Sequence, residues 1–175
     1  MKTRAAVDDR RLHDLWSHPV MVASVALLIL NDHVFKQVFL GQAWTGKLSD
    51  VAGMLFFPAL LWSLLFLPFA PPDSPRDQRL RWLASLMTAL VFAAIQVFDA
   101  AGEVYTLTLG AVQLPFRAAS ALVEGASLPG LVPVAHTADL SDLWALPAVL
   151  WLPLGFPARA PASHAGAVDA DPQNA

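Results

Sequence analysis

The feature that most constrains this chain is a stretch of twenty residues, 51–70, in which no side chain carries a charge. An α-helix needs about 20 apolar residues to cross the hydrocarbon layer of a bilayer, so this length matches one crossing. Pro68 lies near the end of the stretch, and Pro71 and Pro72 follow it. Because proline disfavours helix continuation, this group of closely spaced prolines is expected to stop it. The sequence therefore predicts a membrane-spanning helix here.

The composition of the whole chain also favours a membrane location. Hydrophobic residues make up 56% of the 175 residues and charged residues 14%, whereas soluble domains carry about 25% charged residues. This composition excludes a disordered chain and argues against a soluble globule. The net charge of -3 provides no basic surface for nucleic acid. Since the chain has no cysteine, disulfides, iron–sulfur clusters and thiol catalysis are excluded.

Three further apolar stretches predict three more spans, at about residues 19–40, 80–98 and 143–157. The first could be the core of a secretory signal, but no small-x-small cleavage site follows it, so we interpret it as a retained helix. The last is short, and its apolar residues 143–156 include two prolines, which predict a kink. Residues 73–81 are expected to form a hydrophilic hairpin loop. Residues 1–18 form an N-terminal segment, and the composition of 158–175 predicts a disordered tail.

The region between the third and fourth spans permits two interpretations. Residues 104–123 are moderately apolar but contain Gln113, Pro115 and Arg117. An arginine at the centre of a span costs about 2.5–3.5 kcal/mol on insertion scales. We therefore favour an interfacial or re-entrant segment over a fifth span. The predicted fold is an all-α integral membrane protein, a four-helix transmembrane bundle that carries this additional segment.

The distribution of lysine and arginine predicts the orientation of such a bundle. Eight of the 11 basic residues lie in the N-terminal segment, the loop between the second and third spans, and the tail. Because cytoplasmic loops are enriched in lysine and arginine, both termini are expected in the cytoplasm.

In this topology the polar residues of the membrane domain collect at the external ends of the spans. The candidate polar cluster consists of Asn31, Asp32, His33, Lys47, Asp50, Gln96, Asp99, Asp139 and Asp142. Two of its parts are alike, since residues 45–50 read Thr-Gly-Lys-Leu-Ser-Asp and residues 137–142 read Thr-Ala-Asp-Leu-Ser-Asp. Each part leads into a Pro-Ala-x-Leu segment, which is consistent with a weak internal repeat.

The two Ser-Asp pairs have a structural and a chemical interpretation. Serine and aspartate are preferred caps at a helix N-terminus, where a negative charge also interacts well with the helix dipole. Capping alone would explain Ser49-Asp50 and Ser141-Asp142. It does not require His136 and Asp139 at three-residue steps before Asp142, a spacing that places three side chains on one helical face. Such a face could bind a divalent metal or perform acid–base chemistry, and the alternative is a solvated group of loop charges.

The polar group at residues 31–36 also has two interpretations. If the first helix continues through it, Asp32 and Lys36 form an i,i+4 ion pair that faces the bundle interior, because charges that face lipid are expensive. If the helix ends at Leu30, Asn31 is a C-terminal cap and the group is a loop.

Several of these residues resemble a known family. The segments Asn31-Asp32-His33, residues 44–58 and residues 139–147 are similar to a group of small bacterial multi-pass membrane proteins, and the layout more distantly resembles the VanZ-like family. Lys47, Gln96 and Asp142 occupy the places of that family's lysine, glutamine and last aspartate, while Asp50 replaces its histidine. The resemblance implies a membrane protein of the bacterial cell envelope, located in the inner membrane.

Two functions follow as hypotheses. In the first, the protein is not an enzyme, and its external cluster binds a lipid head group, an envelope intermediate or a partner protein. In the second, it is a membrane-embedded, metal-dependent hydrolase of a lipid-linked phosphate, with Asp50, Asp139 and Asp142 on the metal and His33 or His136 as acid–base. The chain lacks the glycine-rich phosphate loop, the Gly-x-Ser-x-Gly elbow and the His-Glu-x-x-His motif. No cofactor is expected, and the oligomeric state stays open.

Overall fold

The computed structural model describes residues 11–35, 38, 43–66 and 74–156, without the side chains at positions 32, 33, 43 and 66. The described part is mostly helical, contains no strand, and has these elements in chain order. They are α1 (Pro19–Leu30) with a π-helical turn (Asn31–Phe35), α2 (Ala43–Leu61) with a π-helical turn (Trp62–Phe66), α3 (Pro75–Val97), α4 (Asp99–Glu124), and a 3₁₀ helix (Leu140–Leu150) with a π-helical turn (Trp151–Gly155). The all-α prediction is confirmed for these residues.

Local chemistry sets where α1 and α3 begin. His18 caps α1 because its Nδ1 accepts the N–H of Val20 at 3.2 Å, and Pro19 occupies the first turn. Ser74 caps α3 because its hydroxyl accepts the N–H of Asp77 at 3.1 Å. The prediction of a loop across residues 73–81 is therefore wrong from Pro75 onward. A serine followed by a proline is a helix start signal, and it outweighs the hydrophilic composition.

Prolines lie inside or close to the irregular parts of two other helices. Pro58 lies inside α2, which continues as the π-helical turn that begins at Trp62. Pro147 lies inside the 3₁₀ helix, and Pro153 lies in the turn after it. Proline removes one N–H group from the helical ladder, and local 3₁₀ and π geometry can satisfy the carbonyls that it frees.

α2 lies at the centre of the bundle, in contact with α1, α3 and the 3₁₀ helix. One buried apolar cluster lies around Trp62 and includes Leu15, Met21 and Leu152. A second lies around Met54 and Val149. α4 packs against α3 next to the corner at Phe98, whose extended backbone separates the two helices.

Helix α3 exposes several large apolar side chains and buries polar ones. On α3 the buried residues include Asp77, Arg81 and Ser85, with relative exposures of at most 2%. Leu90 and Val91 on the same helix are about 60% exposed. This arrangement is the opposite of that in a soluble protein, where large apolar residues are inside and charged residues are outside.

The length and composition of the helices indicate which of them could cross a membrane. Among the described residues, two helices are long and apolar enough to cross a membrane, Trp44–Leu65 and Pro75–Val97, and two apolar helices are shorter, Pro19–Leu30 and Leu140–Gly155. Residues 104–123 belong to the continuous helix α4, which is the most amphipathic of the described α-helices and is not among these candidates. The predicted tail 158–175 and the N-terminal residues 1–10 lie outside the described residues.

Candidate functional site

A polar cluster forms where the start of α2 meets the start of the 3₁₀ helix. The ammonium group of Lys47 donates to Asp142 Oδ1 at 3.0 Å and to the hydroxyl of Ser141. Its Nζ also lies 3.8 Å from Asp139 Oδ2. These contacts join residues that are about ninety positions apart in sequence. We call Lys47, Gln96, Asp139, Ser141 and Asp142 the Lys47 cluster.

Asp139 connects this cluster to α3. Its backbone N–H donates to Gln96 Oε1 at 3.0 Å, close to the C-terminal end of α3. Its carboxylate caps the 3₁₀ helix by accepting the N–H of Ser141 at 2.8 Å. The bonds from Ser141, together with the positive charge of Lys47, hold the pKa of the Asp139 carboxyl below its ordinary value of 3.8. The cluster therefore ties three helices together and keeps Asp139 ionised.

The capping hypothesis is wrong for Ser49-Asp50, and at the second pair the cap is the neighbouring residue Asp139 instead of Ser141 or Asp142. Since α2 begins at Ala43, Ser49 and Asp50 lie inside the helix. At the 3₁₀ helix the cap is Asp139, which leaves the side chains of Ser141 and Asp142 available to Lys47. Asp50 contributes negative charge near Lys47. The two similar hexapeptides, 45–50 and 137–142, thus meet in space.

The remaining predicted residues lie in different places. Asp99 is exposed in the first turn of α4. Asn31 is fully buried, and neither its Oδ1 nor its Nδ2 has a hydrogen-bond partner among the described residues. The side chains of Asp32 and His33 lie outside the described residues, as do Lys36 and any ion pair it forms.

His136 is near the cluster but has other contacts. Its Nε2 lies 3.4 Å from the carbonyl oxygen of Ile95, and its ring meets the ring of Tyr105 edge-on at 5.4 Å. Within the described part of the chain, no group of three or more histidine or acidic side chains is placed to hold a metal ion.

A second polar cluster, which the sequence analysis missed, is buried at the other end of the bundle. Asp77 Oδ2 lies 2.6 Å from Arg11 Nη2 and 3.0 Å from Arg81 Nη2, and Asp77 Oδ1 accepts the indole N–H of Trp62 at 3.2 Å. Arg81 also donates to the carbonyl oxygen of Phe156 at 2.9 Å. We call these five residues the Asp77 cluster. The i,i+4 spacing of Asp77 and Arg81 is the signal that could have indicated it.

Among the described residues, the Asp77 cluster connects α3 to Arg11 before α1, to Trp62 after α2 and to Phe156 after the last helix. Both guanidinium groups lie over the Trp62 ring, at 5.4 Å for Arg11 and 5.2 Å for Arg81. Such stacking stabilises a guanidinium that is removed from water. Because Asp77 is 2% exposed, its ion pairs are protected from solvent and salt. The arrangement is that of a structural tether, with no group open to a substrate among these five residues.

Comparisons of the chain with protein-family models, with curated proteins and with solved structures find no match.

Proposed function

We propose that the protein is a multi-pass membrane protein of the bacterial cell envelope, with a polar cluster on its external face that binds a lipid head group. The observation that carries the membrane part is the inverted burial on α3, which hides Asp77, Arg81 and Gln96 and exposes Leu86, Leu90 and Val91. In lipid the exposed leucines cost nothing, whereas charged groups must be paired inside.

Four apolar helices are proposed to cross the bilayer, namely α1, α2, α3 and the helix Leu140–Gly155, with both termini in the cytoplasm. α3 has 23 residues and rises about 34 Å, close to the roughly 30 Å of the hydrocarbon layer. The buried Ser24, Ala59, Ala84 and Ser85 support this arrangement, because small side chains let membrane helices approach closely.

α4 is proposed to lie in the membrane–water interface instead of crossing the bilayer. Five polar residues of α4 follow one another at steps of three, four and seven residues, which places them on one face of the helix. They are Asp99, Glu103, Thr106, Gln113 and Arg117. The large side chains on the rest of the surface, including Val104, Leu107, Val112, Phe116 and Leu122, are apolar and exposed.

Residues 126–139, the return segment, run back along the polar face of α4. The N–H of Val134 donates to the carbonyl of Thr106 at 3.1 Å, and Val132 lies against Gly110. The return segment forms no regular structure, and irregular backbone is tolerated at the depth of the hydrocarbon only where protein or water satisfies it. An interfacial position supplies water to the return segment and lipid to the apolar face.

The Lys47 cluster supports the head-group function through its accessibility and charge. The side chains of Lys47 and Asp139 are 43% and 53% exposed, so both can reach a ligand without the bundle opening. The three residues that carry the resemblance to the VanZ-like family, Lys47, Gln96 and Asp142, all belong to this cluster. A polar site at the rim of an apolar bundle meets lipids at the depth of their head groups.

The test is lipid retention by the protein purified from membranes in mild detergent and examined by native mass spectrometry. We expect bound lipid on the wild-type protein and a several-fold loss on Lys47→Met, with no loss on Arg76→Gln, an exposed change at the opposite end. Equal retention by both variants, or no lipid on the wild-type protein, would contradict the proposal. A melting curve for each variant shows that the fold is intact.

A further inference from the structure

An apolar groove adjoins the Lys47 cluster on the outer surface of the 3₁₀ helix. It has a volume of about 200 Å³ and is lined by Leu140, Leu143, Trp144 and Pro147. Trp144 is 86% exposed and Leu140 65% exposed, so large apolar surface stands open beside the charges.

The geometry of a 3₁₀ helix connects the groove to the cluster. With three residues per turn, side chains at i and i+3 lie one above another. Ser141, Trp144 and Pro147 therefore form one row, and Leu140 and Leu143 form the next. Since Ser141 accepts a hydrogen bond from Lys47, the row that contains Trp144 begins at a residue of the Lys47 cluster. The groove and the cluster therefore occupy neighbouring turns of one helix.

The charges around Lys47 indicate what kind of head group would fit. Among the described residues, the ammonium group of Lys47 lies 3.8 Å from the Asp139 carboxylate and 3.0 Å from the Asp142 carboxylate, so these three side chains together carry a net negative charge. An anionic head group would be repelled by this excess. A zwitterionic head group matches it, because Lys47 Nζ and Asp139 Oδ2 lie 3.8 Å apart and both side chains are about half exposed.

We propose that this site binds a zwitterionic phospholipid that carries a primary ammonium group, of the phosphatidylethanolamine class. The lipid phosphate contacts Lys47, the lipid ammonium contacts Asp139, and the first part of an acyl chain lies in the groove against Trp144. Tryptophan is enriched at the depth where head group meets acyl chain, which agrees with this placement. The inference rests on the proposed head-group function and specifies its ligand.

The experiment titrates the delipidated, detergent-solubilised protein separately with phosphatidylethanolamine, phosphatidylcholine and phosphatidylglycerol, and measures each affinity by native mass spectrometry. We expect phosphatidylethanolamine to bind most tightly. Phosphatidylcholine should bind more weakly because its quaternary ammonium has no N–H to donate, and phosphatidylglycerol should bind most weakly because it is anionic. Asp139→Asn should weaken phosphatidylethanolamine about tenfold, the loss of one charge-assisted hydrogen bond. Asp139→Glu should restore most of it.

Two tryptophan variants separate the groove from the cluster. Trp144→Ala should weaken all three lipids alike, whereas Trp82→Ala, a partly exposed tryptophan on α3, should leave them unchanged. Asparagine can still cap the 3₁₀ helix, so Asp139→Asn is expected to fold.

The outcomes distinguish this inference from the function on which it rests. If phosphatidylglycerol binds most tightly and Lys47→Met abolishes its binding, the zwitterion inference is overturned while the head-group function stands. If Asp139→Asn weakens the three lipids equally, or Trp144→Ala has no effect, the inference is also overturned. If no lipid binds more tightly to the wild-type protein than to Lys47→Met, both the zwitterion inference and the head-group function are overturned.

Discussion

Asp77 and Asp142 each connect helices through a basic partner, but their surroundings differ. Asp77 is 2% exposed and is shared by two guanidinium groups. Asp142 pairs with the ammonium of Lys47, and its side chain is 16% exposed. A buried pair that loses one partner leaves an uncompensated charge, while a pair near solvent can be hydrated instead. The same residue type is therefore expected to matter far more for stability at the Asp77 end.

Asp77→Asn is expected to lower the free energy of unfolding by about 3–5 kcal/mol, because Arg11 and Arg81 remain buried without the carboxylate that they share. Unfolding of the purified protein by SDS or heat measures the change. Asp99→Asn is the matched control, since Asp99 is exposed, and it should shift the free energy by less than about 0.5 kcal/mol. Equal effects of the two substitutions would show that Asp77 does not hold the bundle together.

Asp139 is expected to make stability depend on pH in the acid range. Its pKa is lowered in the folded protein, so its contribution is fully present above the unfolded-state pKa of about 3.9 and is lost as the pH falls through the lower folded-state pKa. Melting temperatures of the wild-type protein and Asp139→Asn, measured from pH 6 to pH 2.5, check this. Asparagine keeps the cap but does not titrate, so the acid-induced decrease should be smaller in the variant. Identical pH dependence in both proteins would contradict the assignment.

At the scale of elements, α4 and the return segment form a unit that is held together mainly by close backbone approach. The return segment crosses α4 at Gly110, where a Cβ atom would overlap the carbonyl oxygen of Val132. Only glycine permits this contact, because the opposing atom is backbone and not a flexible side chain. Gly125 ends α4 with φ of 68°, the left-handed conformation that turns the chain back.

Gly110→Ala is therefore expected to push the return segment away from α4, at a cost of about 1–3 kcal/mol for overpacking. Limited proteolysis and hydrogen exchange of residues 126–139 should both become faster. The control is Gly46→Ala, also in a helix but with nothing within 4 Å of the added Cβ. Unchanged exchange of residues 126–139 in Gly110→Ala would show that they do not pack on α4.

The type of each element could be predicted from the sequence better than its ends. The uncharged stretch 51–70 correctly predicts helix through Phe66, but α2 begins at Ala43 because Thr45, Gly46 and Lys47 continue the helix before the apolar run. Hydrophobicity marks the part of a helix that lies in lipid, and it says little about polar turns added to either end. Residues 75–81 are another example of polar turns that hydrophobicity does not reveal, since they form the first turns of α3.

The candidate site could be predicted only as a neighbourhood. The four-span topology places Lys47, Gln96, Asp139 and Asp142 at one end of the bundle, and the structure brings these four together. The hydrogen-bond partner of each side chain could not be predicted. The capping preference of Ser-Asp pairs does not indicate that Asp139 caps the 3₁₀ helix or that Asp142 binds Lys47. The Asp77 cluster was missed because hydropathy places Arg81 at a membrane boundary, where burial against Trp62 is invisible in a linear sequence.

For the whole molecule, the two clusters define two unlike ends of one bundle. The Asp77 end has two guanidinium groups around one carboxylate, and it lies among the basic residues that predict the cytoplasmic side. At the Lys47 end, the described part of the chain places the ammonium group of Lys47 beside the carboxylates of Asp139 and Asp142. Between the ends, the outer surface is apolar, with Val22, Phe57, Leu86 and Leu90 at least half exposed. This order of a charged layer, an apolar layer and a second charged layer matches the order of layers in a lipid bilayer.

The most direct test of this account labels single introduced cysteines in intact cells with a thiol reagent that does not cross membranes, since the chain has no cysteine of its own. Gly46→Cys and Thr137→Cys lie at the Lys47 end, and Arg76→Cys lies at the Asp77 end. We predict that Gly46→Cys and Thr137→Cys are labelled in intact cells, and Arg76→Cys only after the membrane is permeabilised. Labelling of Gly46→Cys and Thr137→Cys from opposite sides of the membrane, or of Arg76→Cys from outside, would contradict the account.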